Sequence, residues 1–388
     1  MPWKDVKPMD EKMLFIADTL RQVESFSQLC ERYGISRKTG YKWVERYRQG
    51  GIEALAERSR KRHTQASQTP YAIRQAILQL RDQRDAPGPK KIQALLARRF
   101  ASEEIPSSTT IYNILKRAGQ IETRRRVRKV TALPGPLRSA AQPNELWSAD
   151  YKGQFKTLDG RWCYPLTVMD HASRYLLGCH GLQGTRHEDT RQVFERLFRE
   201  YGLPERIRTD NGVPFASIGV GNLSRLSVWW IRLGIRPERI EPGQPQQNGR
   251  HERMHRTLKR ALGQPPAADL KQQQRQLDGF RRYYNEQRPL EGLALQSPHT
   301  CYSASSRPYP CGLPELAYPS YFDLAKVHRS GVVYWRSLTI YIGNLLAGEQ
   351  VGIEAVGDGV WEVYFGPVKL GRFDERKADE RSYLSLKA

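Results

Sequence analysis

Leu146-Trp-Ser-Ala-Asp-Tyr-Lys-Gly-Gln-Phe155 alternates in polarity as a β-strand does, and it carries an acid, Asp150, near its centre. A carboxylate inside a strand is costly to bury unless it is paired or bound to a metal. Strand-like patterns recur over 162–169 and 174–180, and the turn-forming stretch Asp170-His-Ala-Ser173 separates them. These residues predict three consecutive strands with a functional acid on the first.

Beyond residue 188 the hydrophobic period changes and helices alternate with strands. The pattern predicts helices at 188–201 and 223–233, and strands at 205–209 and 235–240. Three strands followed by alternating helix and strand indicate a mixed sheet with helices packed on it. The middle of the chain is therefore predicted to be an α/β domain.

Two further acids stand at positions where such a domain binds ligands. Asp210 follows a predicted strand end in Ile207-Arg-Thr-Asp-Asn-Gly212, and strand ends of open sheets bind ligands. Glu252 lies in the first turns of a helix that opens after Pro242–Gly249. If Asp150, Asp210 and Glu252 converge, they repel one another unless cations neutralise them. Oxygen ligands without a thiolate favour Mg²⁺ or Mn²⁺.

Together, these motifs resemble the DDE transposases of bacterial insertion sequences, which have a ribonuclease-H-like catalytic core of the retroviral-integrase type. The resemblance covers about 145–305 and rests on several short stretches. They are Trp147–Asp150, Thr209–Gly212, Pro245–Glu252, Arg281–Leu290 and Ser297-Pro298.

The resemblance implies a catalytic triad of Asp150, Asp210 and Glu252 that binds two Mg²⁺ ions, for which Mn²⁺ can substitute. It implies that the protein binds terminal inverted repeats, cuts to free 3′-hydroxyls and joins them to target DNA by transesterification. The expected partners are double-stranded DNA and a second copy of the chain, since two element ends must be joined together. In such proteins residues like Asn248, Arg256 and Lys259 contact DNA near the acids.

The sequence departs from the family pattern in two places. Forty-one residues separate Asp210 from Glu252, more than is common in the family, and the extra length is expected in the loop at 216–223. The His₂Cys₂ zinc module of retroviral integrases is absent, because residues 1–140 contain only Cys30 and His63 from that ligand set.

Positive charge is concentrated in the first third of the chain. The formal net charge is +22, and residues 1–140 contribute 29 Lys+Arg minus 14 Asp+Glu, which is +15. Phosphate neutralisation by Lys and Arg dominates DNA affinity, so this third is the expected docking module. Five scattered cysteines, no apolar run of membrane-spanning length and no secretory pattern predict a cytoplasmic, nucleoid-associated bacterial protein without membrane contact.

The basic N-terminal region predicts two helix-turn-helix units. In the first, apolar positions over 11–24 indicate one helix, and a short helix at 28–32 is joined by Tyr33-Gly34 to a third at 37–48. The third helix is the expected recognition helix, whose N-terminal part reaches base edges. The candidate DNA contacts on it are Arg37, Lys38, Thr39, Tyr41 and Lys42.

The pattern repeats over 71–119, where a third helix is capped at Ser107–Thr109. Its polar side carries Tyr112, Asn113, Lys116 and Arg117, and a basic run follows with Arg124, Arg125 and Arg126. All seven residues are candidate DNA contacts.

The C-terminal region alternates in short apolar runs separated by glycines, which predicts a small all-β barrel of the SH3-like kind with about five strands. The fold class is therefore multidomain: all-α tandem helix-turn-helix domains, an α/β core and an all-β barrel. The predicted divisions are 1–56 and 69–120 for the helix-turn-helix domains, 144–305 for the core, 327–388 for the barrel, and linkers at 57–68, 121–143 and 306–326.

Two other functional classes stay open at this point. His251-Glu-Arg-Met-His255 spells the H-E-x-x-H signature of zinc proteases, with Glu286 available as a third ligand, although the metzincin continuation fails at Leu258 and Ala261. The other class is a DNA-binding regulator with an inactive core, against which the three intact acids argue.

Overall fold

The structure is a computed structural model. It describes residues 8–57, 68–83, 85–121, 140–217, 220–241, 243–262, 265–377 and 384–386. The chain forms two compact units, Met1–Gln68 and Thr69–Ala388. Among the described residues no helix combines the length and the apolar character that crossing a membrane requires. The predicted linkers 57–68 and 121–143 lie largely outside the described residues.

The first unit is a three-helix bundle with a helix-turn-helix. Its helices are α1 (Pro8–Arg21), α2 (Phe26–Arg32) and α3 (Arg37–Gly50). Ser36 caps α3 by accepting a hydrogen bond from the Thr39 backbone N–H at 3.2 Å, which satisfies a donor that the first helical turn leaves open. The bundle closes over a small core of Phe15, Ile16, Leu29, Cys30 and Leu55.

The second helical module opens the larger unit and has the same order of elements. It contains α4 (Tyr71–Arg81), α5 (Pro89–Leu96) and α6 (Ser108–Arg117), packed around isoleucine and leucine side chains. The module is held to the α/β core that follows it by an ion pair of Asp85 with Arg288 and by the Tyr283 hydroxyl, which donates to Asp85 Oδ2 at 2.9 Å.

The core is a mixed six-stranded sheet. Its strands are β1 (Leu146–Tyr151), β2 (Phe155–Lys156), β3 (Trp162–Asp170), β4 (Leu176–Leu182), β5 (Arg206–Thr209) and β6 (Arg236–Arg239). The order is β2-β3-β1-β5-β6, with β4 also paired to β3. Strands β1 and β3 are antiparallel, whereas β1, β5 and β6 run parallel. The carboxyl ends of β1 and β5 therefore lie at the same edge of the sheet.

Helices cover both faces of this sheet. They are α7 (His187–Tyr201), α8 (Arg225–Arg232), α9 (Gly249–Leu262) and α10 (Leu270–Arg282). Trp147 and Ala149 of β1 pack with α7 and α8 residues such as Phe194 and Trp230. Met254 and Leu258 of α9 pack in a separate cluster with α10 residues. Since side chains alternate along a strand, Ser148 and Asp150 face the α9 side.

The C-terminal domain consists of two small sheets over one core. A four-stranded sheet contains β7 (Asp323–Lys326), β10 (Gln350–Gly357), β11 (Val360–Phe365) and β12 (Val368–Asp374); a three-stranded sheet contains β8 (Val332–Trp335), β9 (Leu338–Tyr341) and β13 (Leu384–Ser385). The domain core also includes Val228 and Ile231 of α8, so the domain packs on the α/β core.

The predicted linker 306–326 differs from the structure. Its last residues form strand β7, and its beginning is anchored to the core by Arg307, which donates to the carbonyls of Pro204 at 2.7 Å and Gly234 at 2.9 Å. Its proline and tyrosine content suggested a free connection. One of its aromatic rings, that of Tyr309, instead packs on Phe198 of the core.

Gly40 provides a test of how tightly the first unit is packed. A Cβ there would lie 2.8 Å from Cys30 Sγ and 3.0 Å from Phe26 Cζ. We expect Gly40→Ala to destabilise this unit by about 1–3 kcal/mol through overpacking. Amide hydrogen exchange of α1–α3 in the full-length chain should rise accordingly. The control is Gly279→Ala on α10, where a Cβ would have no other atom within 4 Å. Amide exchange of α10 should be unchanged or slower in this variant, because alanine favours a helix more than glycine does. Equal exchange of α1–α3 in Gly40→Ala and the parent would contradict the packing.

Candidate active site

Three acids come from three different elements of the core. Asp150 lies one residue before the end of β1, Asp210 directly follows β5, and Glu252 lies in the first turn of α9. Because β1 and β5 are parallel neighbours, Asp150 and Asp210 stand at the same edge of the sheet. Asp150 and Asp210 are partly buried, and Glu252 is exposed.

Hydrogen bonds fix where α9 begins and therefore where Glu252 lies. Arg208, buried on β5, donates to the Gln247 carbonyl at 3.3 Å, immediately before the helix. The Gln247 side chain accepts from the Glu241 backbone N–H at 2.9 Å. Arg250 donates to the His171 carbonyl at 2.8 Å, in the turn after β3. The start of α9 is thus tied to the same sheet that carries Asp150 and Asp210.

The three carboxylates of the site interact electrostatically. The pKa of Asp150 is raised to about 7, first by burial, then by the Asp210 carboxylate, with Glu252 raising it further and a backbone hydrogen bond opposing the shift. The charged form of this carboxylate is therefore disfavoured up to about neutral pH. This is the arrangement in which a bound cation is favourable.

Behind Asp150 lies a buried chain of hydrogen bonds. The Ser148 hydroxyl is 2.8 Å from His251 Nδ1, and the Thr167 hydroxyl is 2.7 Å from Nε2 of both His251 and His255. Thr167 also donates to the Asp150 carbonyl at 3.0 Å. Both imidazoles are buried, which holds their pKa values far below the ordinary histidine range and keeps them neutral.

Thr167 links the two rings to the backbone of Asp150. Its hydroxyl donates to the Asp150 carbonyl and lies within hydrogen-bond distance of Nε2 on both rings. His255 Nδ1 lies 3.6 Å from Asp150 Oδ2, which is beyond hydrogen-bond distance. This side of the carboxylate therefore receives no hydrogen bond from His255.

The donor set can be compared with the requirements of a metal. Among the described residues, the acidic and imidazole ligand atoms that lie within 4.8 Å of one another belong to Asp150, His251 and His255, a group that excludes Asp210 and Glu252 as they stand. Both ring nitrogens of His251 are engaged by Ser148 and Thr167, so His251 is not a free zinc ligand. Oxygen ligands from the acids suit a hard divalent cation, and the raised pKa of Asp150 is the property such a cation would relieve.

The H-E-x-x-H spelling accordingly does not form a zinc-protease site. The two histidine rings converge on the Thr167 hydroxyl inside the protein instead of on an open position, and Glu286 is outside their group. The signature arises because residues four apart on a helix share one face, which here is the buried face of α9.

The residues near the acids that were predicted to contact DNA divide into two sets. Arg256 and Lys259 are exposed and line, with Lys152, a cavity of about 720 Å³. Asn248 is 4% exposed, buried where the short turn Pro245–Asn248 enters α9, and its Oδ1 has no hydrogen-bond partner within the described chain. DNA contact by Asn248 stays a prediction.

The recognition-helix candidates are mostly at the surface. Thr39 is half-buried, and its hydroxyl lies 2.9 Å from that of the capping Ser36, so it supports the helix start. The basic residues Arg124, Arg125 and Arg126 lie outside the described residues. The exposed candidates are Arg37, Lys38, Tyr41 and Lys42 on α3, and Tyr112, Asn113, Lys116 and Arg117 on α6.

Sequence reasoning missed Ser148, Thr167 and the inward role of both histidines. One signal was available for Ser148, since it shares a strand face with Asp150. Thr167 carried no such signal, because its place opposite Asp150 depends on the register between β1 and β3.

The chain matches four family models. Two describe an integrase core domain, over residues 140–245 and 233–298. The others describe a helix-turn-helix domain over 11–63 and a homeodomain-like domain over 39–115. The integrase matches span all three acids, and the helical matches span α1 to most of α6.

Among curated proteins, the chain is 27% identical over 233 residues to an uncharacterized 31.7 kDa protein of insertion element IS407 from Burkholderia multivorans, covering 57% of this chain and 77% of that protein. It is 30% identical over 133 residues to the Gag-Pol polyprotein of baboon endogenous virus, covering 34% of this chain and 7% of the polyprotein. Only a small part of the viral polyprotein is therefore matched.

Two solved structures are similar at low overall agreement. One is a simian T-cell lymphotropic virus intasome in complex with a PP2A regulatory subunit, with a TM-score of 0.37, 16% identity, and 70% of this chain and 87% of that chain covered. The other is the HTLV-2 integrase catalytic core domain in complex with magnesium, with a TM-score of 0.31, 15% identity, and 43% and 100% covered.

The raised pKa of Asp150 predicts a measurable stability effect in the absence of divalent cations. The folded chain keeps this proton up to about pH 7, whereas the unfolded chain releases it near pH 4, so the folded state loses stability as the pH rises through that window. We expect Asp150→Asn, which removes the carboxylate, to unfold at a higher temperature than the parent at pH 8 in EDTA, by at least about 2 °C.

This difference in unfolding temperature should shrink at pH 5, where the parent is still protonated at Asp150. The buried histidines are common to both proteins and cancel in the comparison. Adding Mg²⁺ at pH 8 should stabilise the parent and leave Asp150→Asn nearly unchanged. If Asp150→Asn unfolds at a lower temperature than the parent at pH 8, the charged Asp150 carboxylate does not destabilise the folded chain, and the prediction is contradicted.

Proposed function

We propose that the chain is an insertion-element transposase that cuts and joins DNA through Asp150, Asp210 and Glu252. The matches to integrase-core and helix-turn-helix family models and to an insertion-element protein support this proposal. The observation that carries the proposal is electrostatic. The carboxylate at the end of β1 is partly buried, and it is coupled to the acids after β5 and on α9. A structural acid would instead be paired with a cation or left in water.

Asp150, Asp210 and Glu252 would hold the divalent cations, with Mg²⁺ the expected ion and two the expected number. When bound, the cations supply charge neutralisation at the scissile phosphate and lower the pKa of an attacking oxygen. The chain's own part is positioning. The hydrogen bond from Thr167 fixes the backbone of Asp150, and Arg208 and Arg250 fix the start of α9 and with it Glu252.

The proposed reaction has two steps at phosphorus. Water attacks a phosphodiester at the element end, the bond from phosphorus to the 3′ oxygen breaks, and that oxygen leaves with a proton as a 3′-hydroxyl. This hydroxyl then loses its proton and bonds to a phosphorus of target DNA, while the bond from that phosphorus to the target's own 3′ oxygen breaks. No side-chain nucleophile is required in either step.

DNA binding is assigned to three surfaces. The exposed basic and polar residues of α3 and of α6 would read the terminal inverted repeats. Lys152, Arg256 and Lys259, which line the cavity beside the acids, would bind phosphates of the DNA strand undergoing reaction. Because two element ends are joined to one target, at least two copies of the chain are expected on the DNA.

A regulator that binds DNA without cutting is the competing function, and strand transfer separates the two. Purified protein would be mixed with a labelled duplex carrying the DNA that flanks its gene, a plasmid target, and Mg²⁺ or EDTA. We expect joined products with Mg²⁺ only. Asp150→Asn, Asp210→Asn and Glu252→Gln should each lower joining by at least about a hundredfold, because each removes a ligand charge in the reacting centre.

The matched control is Glu286→Gln, which neutralises an exposed acid outside the site and should join DNA like the parent. Binding of the duplex by all three acid variants would show that they are folded. Specific end binding by the parent without cleavage or joining would favour the regulator. Retained joining in any one acid variant would remove that acid from the triad.

Asn113 tests whether α6 reads bases. Its side chain is exposed on a helix whose opposite face, with Ile111 and Leu115, is buried. An asparagine amide can pair with adenine in the major groove, and such a contact is worth about 1–3 kcal/mol of discrimination. Asn113→Ala should therefore weaken binding of the end duplex relative to a scrambled duplex by about fivefold or more. Equal loss on both duplexes would assign Asn113 to the DNA backbone.

A further inference from the structure

A second basic cavity lies on the other side of α9 from the acids. Its volume is about 320 Å³. Its walls come from four parts of the larger unit: Lys91 of α5, Arg174 of the turn between β3 and β4, Arg253 and Thr257 of α9, and the segment after α10. The sequence analysis assigned none of these residues a function.

The cavity concentrates positive charge. Five cationic side chains line it, of which Arg288 is paired with Asp85, and Glu291, which is exposed, is its one acidic lining residue. The cationic residues are Lys91, Arg174, Arg250, Arg253 and Arg288.

The neighbouring charges perturb one another. Burial and then the Arg250 guanidinium lower the pKa of Arg174 to about 10. Burial lowers the pKa of Lys91; the Glu291 carboxylate opposes this shift, and the Arg253 and Arg260 guanidinium groups add to it. Like charges gathered in this way are favourable only when an anion joins them.

Several donors in this wall have no acceptor in the protein. Within the described chain, Nε of Arg174 and Nε of Arg288 are buried without a hydrogen-bond partner. Arg288 is 6% exposed, so water does not easily satisfy it. The Arg253 side chain has no hydrogen bond or ion pair among the described residues. Arg174 also has a positive φ of 63°, a strained backbone conformation of the kind that collects at binding sites.

The cavity spans a joint between two domains. Lys91 belongs to the second helical module and Arg253 to the catalytic core. The joint is fixed nearby by the ion pair of Asp85 with Arg288 and by Arg98, which donates to the Gln287 carbonyl at 2.9 Å. An anion in the cavity would contact both domains at once.

We propose that this cavity binds a backbone phosphate of the element-end DNA, with Arg174, Arg253 and Lys91 as its principal contacts. Guanidinium groups bind phosphate oxygens through paired N–H donors, which matches the unused donors in the wall. The choice of element-end DNA follows from Lys91, since its module also carries the exposed face of α6. The inference rests on the proposed function and adds to it a phosphate site that spans the module and the core.

The test is the salt dependence of DNA binding by full-length Arg174→Gln, Arg253→Gln and the double variant. Each phosphate contact contributes about one to the slope of log affinity against log salt. We expect the double variant to bind the end duplex about tenfold more weakly than the parent and to lose about one from the slope. Each single variant should show most of the loss of affinity and slope seen in the double variant, because both arginines bind the same phosphate.

The control is Arg275→Gln, which removes one exposed positive charge from α10 outside both cavities. It should keep the parent's slope within about a few tenths. Ethylation interference on the end duplex should identify one phosphate whose modification weakens the parent and has no effect on the double variant. An affinity and slope equal to those of Arg275→Gln would overturn the proposal.

Two further arms separate the sources of the anion. A loss confined to a duplex of unrelated sequence would move the site to target DNA and overturn the assignment to the element end. Binding of inorganic phosphate, measured by calorimetry and abolished in the double variant while end binding stays at the parent's level, would make it a small-anion site. Strand transfer by the parent is measured on the same preparation, so a failure of the proposed function is recognised separately from a failure of this site.

Discussion

The structure depends most on keeping one carboxylate, Asp150, partly buried at the end of β1 beside two other acids. Its raised pKa shows that the fold holds this group at a cost in its charged form. The surrounding hydrogen bonds do not remove that cost, because Thr167 donates to the backbone carbonyl and His255 Nδ1 lies 3.6 Å from the carboxylate, beyond hydrogen-bond distance. The chain therefore fixes the position of Asp150 while leaving its negative charge available, which is what a cation-binding catalytic site requires.

This constraint explains which parts of the site were predictable. A charged residue inside an alternating strand and another directly after a strand are local patterns, so Asp150 and Asp210 could be located from the sequence, and the first turn of a helix located Glu252. The residues behind them could not be located this way. Thr167 comes to face Asp150 only through the antiparallel register of β1 and β3, and His251 belongs to a pattern that also spells a zinc site.

The same reasoning applies to the fold. Helix periodicity and capping serines predicted both helical modules, and the order of strands and helices predicted the core. The segment 306–326 was different, since its composition indicated a linker while Arg307 pairs with backbone carbonyls 70 or more positions away in the chain. Asn248 is a related case: its place one turn before Glu252 is visible in the sequence, but the burial of its side chain depends on what α9 packs against.

Helix α9 joins these observations, because its three faces have three different environments. At about 100° per residue, Glu252, Arg256 and Lys259 share one face, directed to the acids and the larger cavity. His251, His255 and Leu258 form the buried face, which locks the helix to the sheet. The remaining face carries Arg250, Arg253 and Thr257 toward the smaller basic cavity. A helix of 14 residues cannot rotate to improve one face without disturbing the other two. A phosphate bound on the third face would therefore help to hold α9, and with it Glu252, in the orientation that the buried face sets, which gives DNA binding at the joint a physical route to the acids.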